Sequence, residues 1–573
     1  MSKVLKGIGA SRGIAIAKAY RMVEPDLSFE KKEVTQCEKE VARFKKALHS
    51  AEKELLELKD HAKKNVGEEE ASIIDAHLCL VNDPELISMV MDRIRKKRVN
   101  AEYALSETIN FHLSMFGTIE NEYMNERVAD IQDVSKRILS HLLNVHRLNP
   151  KLITEEVIIV SADLSPSEAV QLNKSFVKGF ISDIGGRTSH TAIIAKSLEI
   201  PAVVGTKQAM NEILTGDLVI LDGINGKVHI NPTREIIENY KKMSLQYEAD
   251  KKEWFQLVNE TTLTQDGRLI KIGANINTPK DVHTVLSNGG EAIGLFRTEF
   301  LYMGRKELPS EEEQFEAYKE VLIKMDEKPV IIRTLDIGGD KGLSYLQFPS
   351  EINPFLGFRA IRICLQEQMI FRTQLRALLR ASAYGNLKIM FPMIATLTEF
   401  QEAKNILEEE KDKLKLAGIH FSEKIEIGMM IETPSSALMA DHFAKEADFF
   451  SIGTNDLIQF TMAADRMNEK VEYLYQPYHP AILRFIKMIV DAAKKEGIWV
   501  GMCGEMAEDE RMIPILIGLG VQGISMNVHS ILRARSLIKK LNRVEMQALS
   551  ERLLNLTTGE KVIEELEQSI KIN

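Results

Sequence analysis

The sequence predicts an α/β protein built in two halves: an N-terminal α/β domain with an inserted helical subdomain, followed by a C-terminal (β/α)8 barrel. Three observations support this fold class. Short apolar runs flank a long amphipathic region in the first half, a charged helical stretch follows them, and the second half repeats a strand and a helix eight times. At 573 residues, the chain is also too long for one ordinary domain.

The N-terminal α/β domain is predicted to comprise residues 1–24 and 147–232. Its first segment contains one or two short strands, including the apolar run that begins at Ile14. Its second segment holds strand-like runs that alternate with short helical stretches; these runs are residues 157–160, 177–181, 202–204 and 218–221.

Residues 25–146 are predicted to form the inserted helical subdomain. Apolar residues recur there at steps of three and four, which gives one apolar face of a helix; they are Val41, Phe44, Leu48, Ala51, Leu55 and Leu58. Further helical stretches are expected at residues 73–80, 86–94, 101–116 and 131–143. Asp83-Pro84-Glu85 indicates a turn followed by a helix start.

Residues 233–260 are charged, amphipathic and poor in helix breakers, so they are predicted to form a connecting helix between the two halves. Residues 261–573 are predicted to form the barrel. Its eight strand candidates are residues 269–275, 292–297, 330–335, 387–391, 425–431, 449–453, 498–503 and 523–526. Short apolar runs separated by amphipathic stretches are typical of buried parallel strands with crossover helices.

A histidine in the first half is placed where it could carry a phosphoryl group. Gly185 and Gly186 permit a sharp turn, and the residues just before His190 can cap the helix predicted after it. The start of that helix and the guanidinium of Arg187 would favour an anion beside His190, whose neutral imidazole is nucleophilic. The alternative is a capped turn with an ordinary surface histidine, and the local pattern does not decide between the two.

A (β/α)8 barrel gathers its active-site residues at the C-terminal ends of its strands. Arg297 and Arg333 lie at such ends, and Arg466 lies beyond the sixth strand. Several arginines on one rim suit a phosphate group, because guanidinium groups match its oxygens and stay charged. Taken alone, Arg297 or Arg333 could belong to a structural ion pair.

The same rim offers carboxylates, an amide and a thiol. Glu432 and Asp456 suit a hard divalent ion, for which Mg2+ is the natural candidate. Asn455 could orient a substrate oxygen, and Cys503 could give or take a proton at carbon. Singly, Glu432 could be a helix cap and Cys503 a small buried apolar residue. The joint placement of these side chains favours a functional site.

Composition narrows the class of protein. The net charge of -9 argues against a nucleic-acid-binding protein and is compatible with a basic protein partner. The four cysteines form no CxxC pair, which fits a reducing compartment and argues against a cysteine-based zinc site. The N-terminus lacks the apolar core of a signal peptide, and no apolar run is long enough to span a bilayer. We therefore expect a cytoplasmic protein without membrane insertion.

Seven motifs together resemble one known family over essentially the whole chain. They are GGRTSHTAIIAKSLEIPAVVG from Gly185, GLFRTEFL from Gly294, IRTLDIGGDK from Ile332, ETPSSA from Glu432, SIGTNDLIQF from Ser451, ADR from Ala464 and GMCGEMA from Gly501. The chain resembles the enzyme I family of the bacterial phosphoenolpyruvate-dependent sugar phosphotransferase system. This resemblance implies a barrel of the phosphoenolpyruvate/pyruvate-binding type.

The resemblance implies a role for each matching residue. His190 matches the phosphorylated histidine, and Cys503 matches the proton donor that turns enolpyruvate into pyruvate. The remaining positions match groups that hold substrate or metal: Arg297 and Arg333 for the phosphate, Asn455 and Arg466 for the substrate, and Glu432 and Asp456 for Mg2+.

The resemblance also implies partners and a reaction path. Phosphoenolpyruvate would phosphorylate His190, and the phosphoryl group would pass on to HPr, a small histidine-containing phosphocarrier that docks on the helical subdomain. Family members are homodimers through the barrel, so the same is expected here. Because His190 must serve two sites, the stretch 233–260 is the expected hinge region.

Three alternatives remain at this point. A phosphoenolpyruvate synthase or pyruvate phosphate dikinase would need a large nucleotide-binding region, but only about 150 residues precede the histidine domain and no P-loop motif is present. A carboxylate-metal barrel lyase would have no use for His190. A regulatory phosphoprotein that binds HPr without turnover would not need the full set of rim residues.

Overall fold

The structure is a computed structural model. It describes residues 3–23, 26–65, 74, 77–116, 122–145, 153, 155–163, 175–186, 192, 195, 198, 200–303, 305, 307–339, 343, 345–346, 351–466, 468 and 470–570. The chain divides into two compact units, Met1–Asp250 and Lys251–Asn573.

The first unit contains an eight-stranded sheet. Its strands are β1 Lys3–Lys6, β2 Ile8–Ser11, β3 Ile14–Arg21, β4 Val157–Ser161, β5 Val177–Ser182, β6 Ala202–Val204, β7 Leu218–Asp222 and β8 Lys227–Ile230. The spatial order is β1-β8-β7-β3-β4-β5-β6-β2. Strands β3 to β6 run parallel to one another, and antiparallel strands extend the sheet on either side.

Both faces of this sheet are covered. In β4, Val157 and Ile159 pack into one apolar cluster, whereas Ile158 and Val160 pack into another on the opposite face. A strand that is buried on both faces carries apolar side chains on both, so its sequence does not alternate between apolar and polar residues. The sequence of β4 is therefore a continuous apolar run. The N-terminal segment was expected to hold one or two strands and holds three.

The helical subdomain is inserted between β3 and β4, which are adjacent and parallel in the sheet. Its described helices are α1 Cys37–Asn65, α2 Pro84–Lys97, α3 Ala101–Phe116 and α4 Glu122–Leu143. The six periodic apolar residues predicted to share one face of α1 are all buried in one cluster. Residues 28–36 of the subdomain are not helical. Helix α4 begins at Glu122, nine residues before the start of the predicted helical stretch 131–143.

The start of α2 confirms the predicted signal at Asp83-Pro84-Glu85. The Asp83 carboxylate accepts hydrogen bonds from the backbone N–H groups of Glu85 and Leu86, at 2.8 and 3.3 Å. Pro84 occupies the first helical turn, where its missing N–H costs no hydrogen bond. The cap therefore fixes where the chain re-enters a helix.

Among the described residues of the first half, two further helices follow the subdomain: α5 Ala209–Glu212 and α6 Arg234–Gln256. The α6 helix lies within the predicted stretch 233–260, and the boundary between the compact units falls inside it, after Asp250. The finer division of the N-terminal half into domains stays a prediction.

The second unit is a closed barrel of eight parallel strands, in the order β10-β11-β12-β13-β14-β15-β16-β9. They are β9 Lys271–Ile276, β10 Ala292–Phe296, β11 Val330–Arg333, β12 Leu387–Phe391, β13 Glu426–Ile431, β14 Phe449–Ile452, β15 Trp499–Cys503 and β16 Gly523–Met526. The predicted fold class is thus confirmed. The first strand begins two residues later than expected because Leu269 instead pairs with Leu263 in an isolated antiparallel bridge.

Helices surround the barrel. They are α7 Asp281–Ser287, α8 Glu311–Met325, α9 Ile361–Gln366, α10 Gln368–Ala381, α11 Leu397–Leu416, α12 Pro434–Leu438, α13 Ala440–Phe443, α14 Thr454–Met462, α15 Pro480–Glu496, α16 Met512–Leu519, α17 Ile531–Lys539, α18 Arg543–Leu553 and α19 Gly559–Ser569. Among the described residues, no helix has both the length and the apolar character needed to cross a bilayer.

Candidate active site at the barrel mouth

Polar side chains follow the carboxyl ends of several barrel strands. Arg297 directly follows β10, Arg333 is the last residue of β11, Glu432 directly follows β13, and Cys503 is the last residue of β15. Because all eight strands are parallel and the barrel is closed, these ends form one rim, which we call the mouth of the barrel.

Arg333 is held among carboxylates at this mouth. Its side chain is only 6% exposed; its Nη2 lies 2.9 Å from Oε1 of Glu299, and its Nη1 lies 3.0 Å from Oδ2 of Asp336. Burial alone would lower the pKa of Arg333, but the charges of Glu299, Asp336 and Glu432 outweigh burial and raise it. The guanidinium therefore stays positive and rigidly oriented.

Arg297 has fewer carboxylate contacts. Its Nη1 donates a hydrogen bond to Oδ1 of Asn277 at 3.1 Å. Burial and the neighbouring charge of Arg333 lower the pKa of Arg297, and the charge of Glu299 opposes this shift. The positive charge of Arg333 thus acts on Arg297, and two guanidinium groups whose charges interact favour an anion between them.

Glu432 and Asp456 form a carboxylate pair deep in the mouth. Glu432 is 1% exposed, and burial together with the charges of Asp456 and Asp336 raises its pKa to about 8. Its Oε1 accepts a hydrogen bond from the backbone N–H of Met393 at 2.6 Å. Asp456 projects from the first turn of α14. Like charges that raise a pKa in this way cost free energy unless a proton or a cation compensates them.

Arg359 completes this charged cluster, although the sequence pattern did not predict it. Its Nη2 lies 3.0 Å from Oδ1 of Asp336, and its Nη1 lies 3.5 Å from Oδ1 of Asp456. It precedes α9 rather than following a strand, so the strand-end argument did not select it. Gly338 leaves room for it, because a Cβ at Gly338 would lie 2.7 Å from Cβ of Arg359.

Several buried polar atoms of the described mouth residues have no hydrogen-bond partner. They are Nε of Arg333, Nε and Nη1 of Arg359, Oγ1 of Thr454 and Oδ1 of Asp456. Buried polar groups are normally paired, so such a cluster indicates that a polar ligand completes the site. Within the part of the chain that the structure describes, no group of three or more His, Cys, Asp and Glu side chains forms a full metal cage.

Cys503 is a buried thiol at the same rim. The hydroxyl of Ser451 donates a hydrogen bond to its sulfur at 3.1 Å, and the sulfur lies 3.9 Å from the carbonyl oxygen of Ile452. Burial raises the pKa of Cys503, against the opposing effects of the Ser451 hydrogen bond and the Arg333 charge. At neutral pH the thiol therefore keeps its proton.

Asn455 lies in α14, which follows β14, and it is hydrogen-bonded to Glu505, which follows β15. Its Nδ2 donates to Oε1 of Glu505 and its Oδ1 accepts from the backbone N–H of Glu505, both at 3.3 Å. Arg466 is half-buried beyond α14, where its charge acts on the hydroxyl of Tyr475 together with those of Glu505 and Asp456. The structure thus brings all seven predicted barrel residues to one region.

His190 lies outside the described residues, as do Arg187, Thr188 and Ser189. The segment that leads to it is described up to Gly186 and leaves the sheet after β5. Asp183, the first residue after that strand, accepts hydrogen bonds from Oγ1 of Thr206 and from the backbone N–H groups at the start of α5.

Comparison with known proteins agrees with this arrangement. A family model described as "PEP-utilising enzyme, PEP-binding domain" matches residues 251–543, which include the whole barrel mouth. Models described as "PEP-utilising enzyme, N-terminal" and "PEP-utilising enzyme, mobile domain" match residues 6–127 and 153–226.

Curated relatives match over the full length. A phosphoenolpyruvate-protein phosphotransferase from Bacillus subtilis is 60% identical over 99% of this chain and 100% of the relative. Proteins with the same name from Listeria monocytogenes and Staphylococcus aureus are 59% and 56% identical, over 99% and 100% of this chain and 99% and 100% of the relatives. The resemblance found in the sequence is confirmed, and the chain is an enzyme that belongs to the phosphoenolpyruvate-protein phosphotransferase family of PEP-utilising enzymes.

Proposed function

We propose that this enzyme transfers the phosphoryl group of phosphoenolpyruvate to its own His190 and then to the histidine of an HPr-type phosphocarrier, releasing pyruvate. The observation that carries the proposal is the joint presence of guanidinium groups, paired carboxylates and a protonated thiol at one barrel mouth. A phosphorylated enol needs one group of each kind: cations for its phosphate, carboxylates for a metal ion, and an acid for its carbon.

Arg297 and Arg333 would hold the phosphate. Arg333 is fixed by Glu299 and Asp336, so it is oriented before the substrate arrives. Its Nε has no hydrogen-bond partner and is available to a phosphate oxygen. Preorganised charges of this kind stabilise a phosphoryl-transfer transition state without a reorganisation cost.

Glu432 and Asp456 would hold Mg2+. The fit is chemical: two carboxylates lie among the charges of Asp336 and Arg359, and one buried oxygen of Asp456 makes no hydrogen bond. Such a pair suits a hard ion that takes its other ligands from water and substrate. When bound, such an ion neutralises charge on the phosphate and the enolate. The full metal cage that the described residues lack is unnecessary for this type of site.

Cys503 would supply the proton that makes pyruvate. As the bond between phosphorus and the enol oxygen breaks, a bond between phosphorus and an imidazole nitrogen of His190 forms. The resulting enolate takes the thiol proton at its methylene carbon, and the thiolate regains a proton from solvent. The raised pKa keeps Cys503 protonated at neutral pH, as a donor must be.

Asn455 and Arg466 would orient the substrate carboxylate with an amide donor and a guanidinium group. Asn455 adjoins Asp456 in α14, and the charges of Arg466 and Asp456 both act on the hydroxyl of Tyr475. For the partners, we propose that the helical subdomain docks the phosphocarrier, that the barrel forms a homodimer, and that the enzyme acts in the cytoplasm. These assignments rest on family membership and on the helical insertion between β3 and β4.

Labelling tests the proposal directly. The full chain is incubated with 32P-labelled phosphoenolpyruvate and Mg2+, and acid-labile label on the protein is measured before and after addition of HPr. Wild type and the control His283→Ala, which alters an exposed histidine of α7, should be labelled and should pass the label to HPr. His190→Ala should not be labelled. Labelling from ATP alone, or equal labelling of His190→Ala, would contradict the proposal.

A further inference from the structure

The barrel encloses a cavity of about 440 Å3 at the end opposite the mouth. Its lining includes the first residues of several strands, among them Lys271, Ala292, Glu426, Trp499 and Gly523. The interior of a (β/α)8 barrel is normally filled by layers of bulky side chains. A cavity of this size inside the barrel therefore departs from the usual packing of this fold.

The cavity exists because inward positions on neighbouring strands carry little or no side chain. These positions are Gly273, Gly294, Gly501 and Gly523, together with Ser451 and Ser525. At Gly294 a Cβ would lie 2.4 Å from Cβ of Ser525, so the wall is already close-packed there. At Gly523 a Cβ would meet only ordinary contacts, the nearest being the carbonyl oxygen of Lys271 at 3.6 Å.

An ion pair and the indole ring beside it form one wall of the cavity. The Nζ of Lys388 lies 2.5 Å from Oε1 of Glu426 and 4.9 Å from the ring centroid of Trp499. The indole N–H of Trp499 donates to Oε2 of Glu426 at 2.9 Å, and the indole stacks on Phe449 with the ring centroids 4.6 Å apart. These contacts fix a flat aromatic surface and an oriented ammonium group inside the barrel.

The charge of the cavity is positive. Arg268 and Lys271 are exposed and line it together with Lys388, against the single carboxylate of Glu426. The rest of the lining is mostly apolar and includes Leu269 and Ile331. A volume of about 440 Å3 lies within the range of about 300–1,000 Å3 that small-molecule sites occupy.

We propose that this cavity is a second ligand site, which binds a small organic anion with a flat apolar body. The body would lie against the Trp499 wall, and the anionic group would face Lys388 and the cations at the opening. Ser451 lines the cavity and also donates its hydroxyl to the sulfur of Cys503, so an occupant would touch the residue that holds the mouth thiol. The site is independent of the function proposed for the mouth.

Two matched dyes test the site in the full-length protein. Anilinonaphthalene sulfonate is a flat organic anion, and N-phenyl-1-naphthylamine is its counterpart without the sulfonate; both report apolar binding by fluorescence. Gly523→Ile fills the cavity, and Lys388→Met removes its buried cation. Lys319→Met is the control, because Lys319 also pairs with a glutamate, at 3.1 Å, and lies over an aromatic ring, but it is a half-buried residue of α8 that does not line the cavity.

The expected result is one sulfonate-dye site per wild-type chain, weakened at least tenfold by Gly523→Ile and by Lys388→Met and unchanged by Lys319→Met. Lys388→Met should leave the affinity for the neutral dye within twofold of wild type. Saturating phosphoenolpyruvate should not displace the sulfonate dye. Three results would overturn the proposal: no binding of the sulfonate dye to wild type, its displacement by phosphoenolpyruvate, or equal binding of it by wild type and Lys388→Met. None of these tests depends on whether Gly523→Ile folds.

Discussion

The hydroxyl of Ser451 donates a hydrogen bond to the sulfur of Cys503 at 3.1 Å. The two residues lie on neighbouring strands, β14 and β15, and both side chains point into the barrel. Since a hydrogen bond to a thiolate is stronger than one to a thiol, Ser451 favours the deprotonated form and offsets part of the effect of burial.

Ser451→Ala should therefore raise the pKa of Cys503. Loss of a hydrogen bond to a charged group costs about 1.5–3 kcal/mol, which corresponds to about one to two pKa units. The midpoint of the pH profile for alkylation of Cys503, followed by mass spectrometry, should move upward. Ser525→Ala is the matched control, because that hydroxyl bonds to Asn275 instead. Exposed Cys79 provides an internal standard, and an unchanged midpoint in Ser451→Ala would contradict the prediction.

Cys503→Ala should separate the two chemical steps. General-acid catalysis contributes about 10²–10⁴-fold, so pyruvate formation should fall by about that factor. Phosphorylation of the protein should fall far less, because the arginines and carboxylates of the mouth remain in place. Single-turnover measurements of protein-bound phosphate and of pyruvate check this. As a control, Cys364→Ala removes a thiol that is equally buried but lies outside the barrel interior. Equal loss of both steps in Cys503→Ala would assign the thiol another role.

Arg359→Met should destabilise the barrel strongly. The substitution leaves the buried negative charges of Asp336 and Asp456 without the nearby positive charge of Arg359. Removing one partner of a buried ion pair in this way lowers the free energy of unfolding by about 3–5 kcal/mol. Arg552→Met breaks the exposed pair with Glu565 and should cost no more than about 1 kcal/mol. Denaturant unfolding of the two variants measures both values. Similar losses would mean that the charged cluster at the mouth is not the origin of the effect.

Glu432→Gln should change how stability depends on pH. The folded-state pKa of Glu432 is raised, so its ionisation opposes folding increasingly as the pH rises from about 4.5 to about 8. In metal-free protein, the melting temperature of Glu432→Gln relative to wild type should therefore increase over that range. Mg2+ should stabilise wild type more than Glu432→Gln, because it compensates the same charge.

Glu410→Gln provides a control of opposite sign. Glu410 is buried between Arg372 and Arg376, and hydrogen bonds to Lys413 and these arginines keep its pKa low despite burial. Because the pKa of Glu410 is lower in the folded protein than in the unfolded chain, its ionised carboxylate stabilises the fold above its unfolded-state pKa, and this stabilisation is lost on acidification. Glu410→Gln should therefore be most destabilising at high pH. The same pH trend in both variants would contradict the prediction for Glu432.

The sequence predicted the elements of the fold closely. Hydrophobic periodicity located the buried face of α1, and short apolar runs located the eight barrel strands to within two residues at every end. Their number and spacing predicted a barrel, and parallel strands place Arg297, Arg333, Glu432 and Cys503 on one rim. These features depend on local pattern and on chain direction, which a sequence contains.

Other features depend on contacts between distant segments, and only the tertiary structure decided them. Arg359 reaches Asp336 and Asp456 from a loop, and Ser451 bonds to a cysteine 52 residues away. The cavity beneath the mouth arises from glycines on different strands, none of which is unusual in its own segment. Chain pattern specifies which residues a strand presents, whereas closure of the barrel determines which of them meet and which positions remain empty.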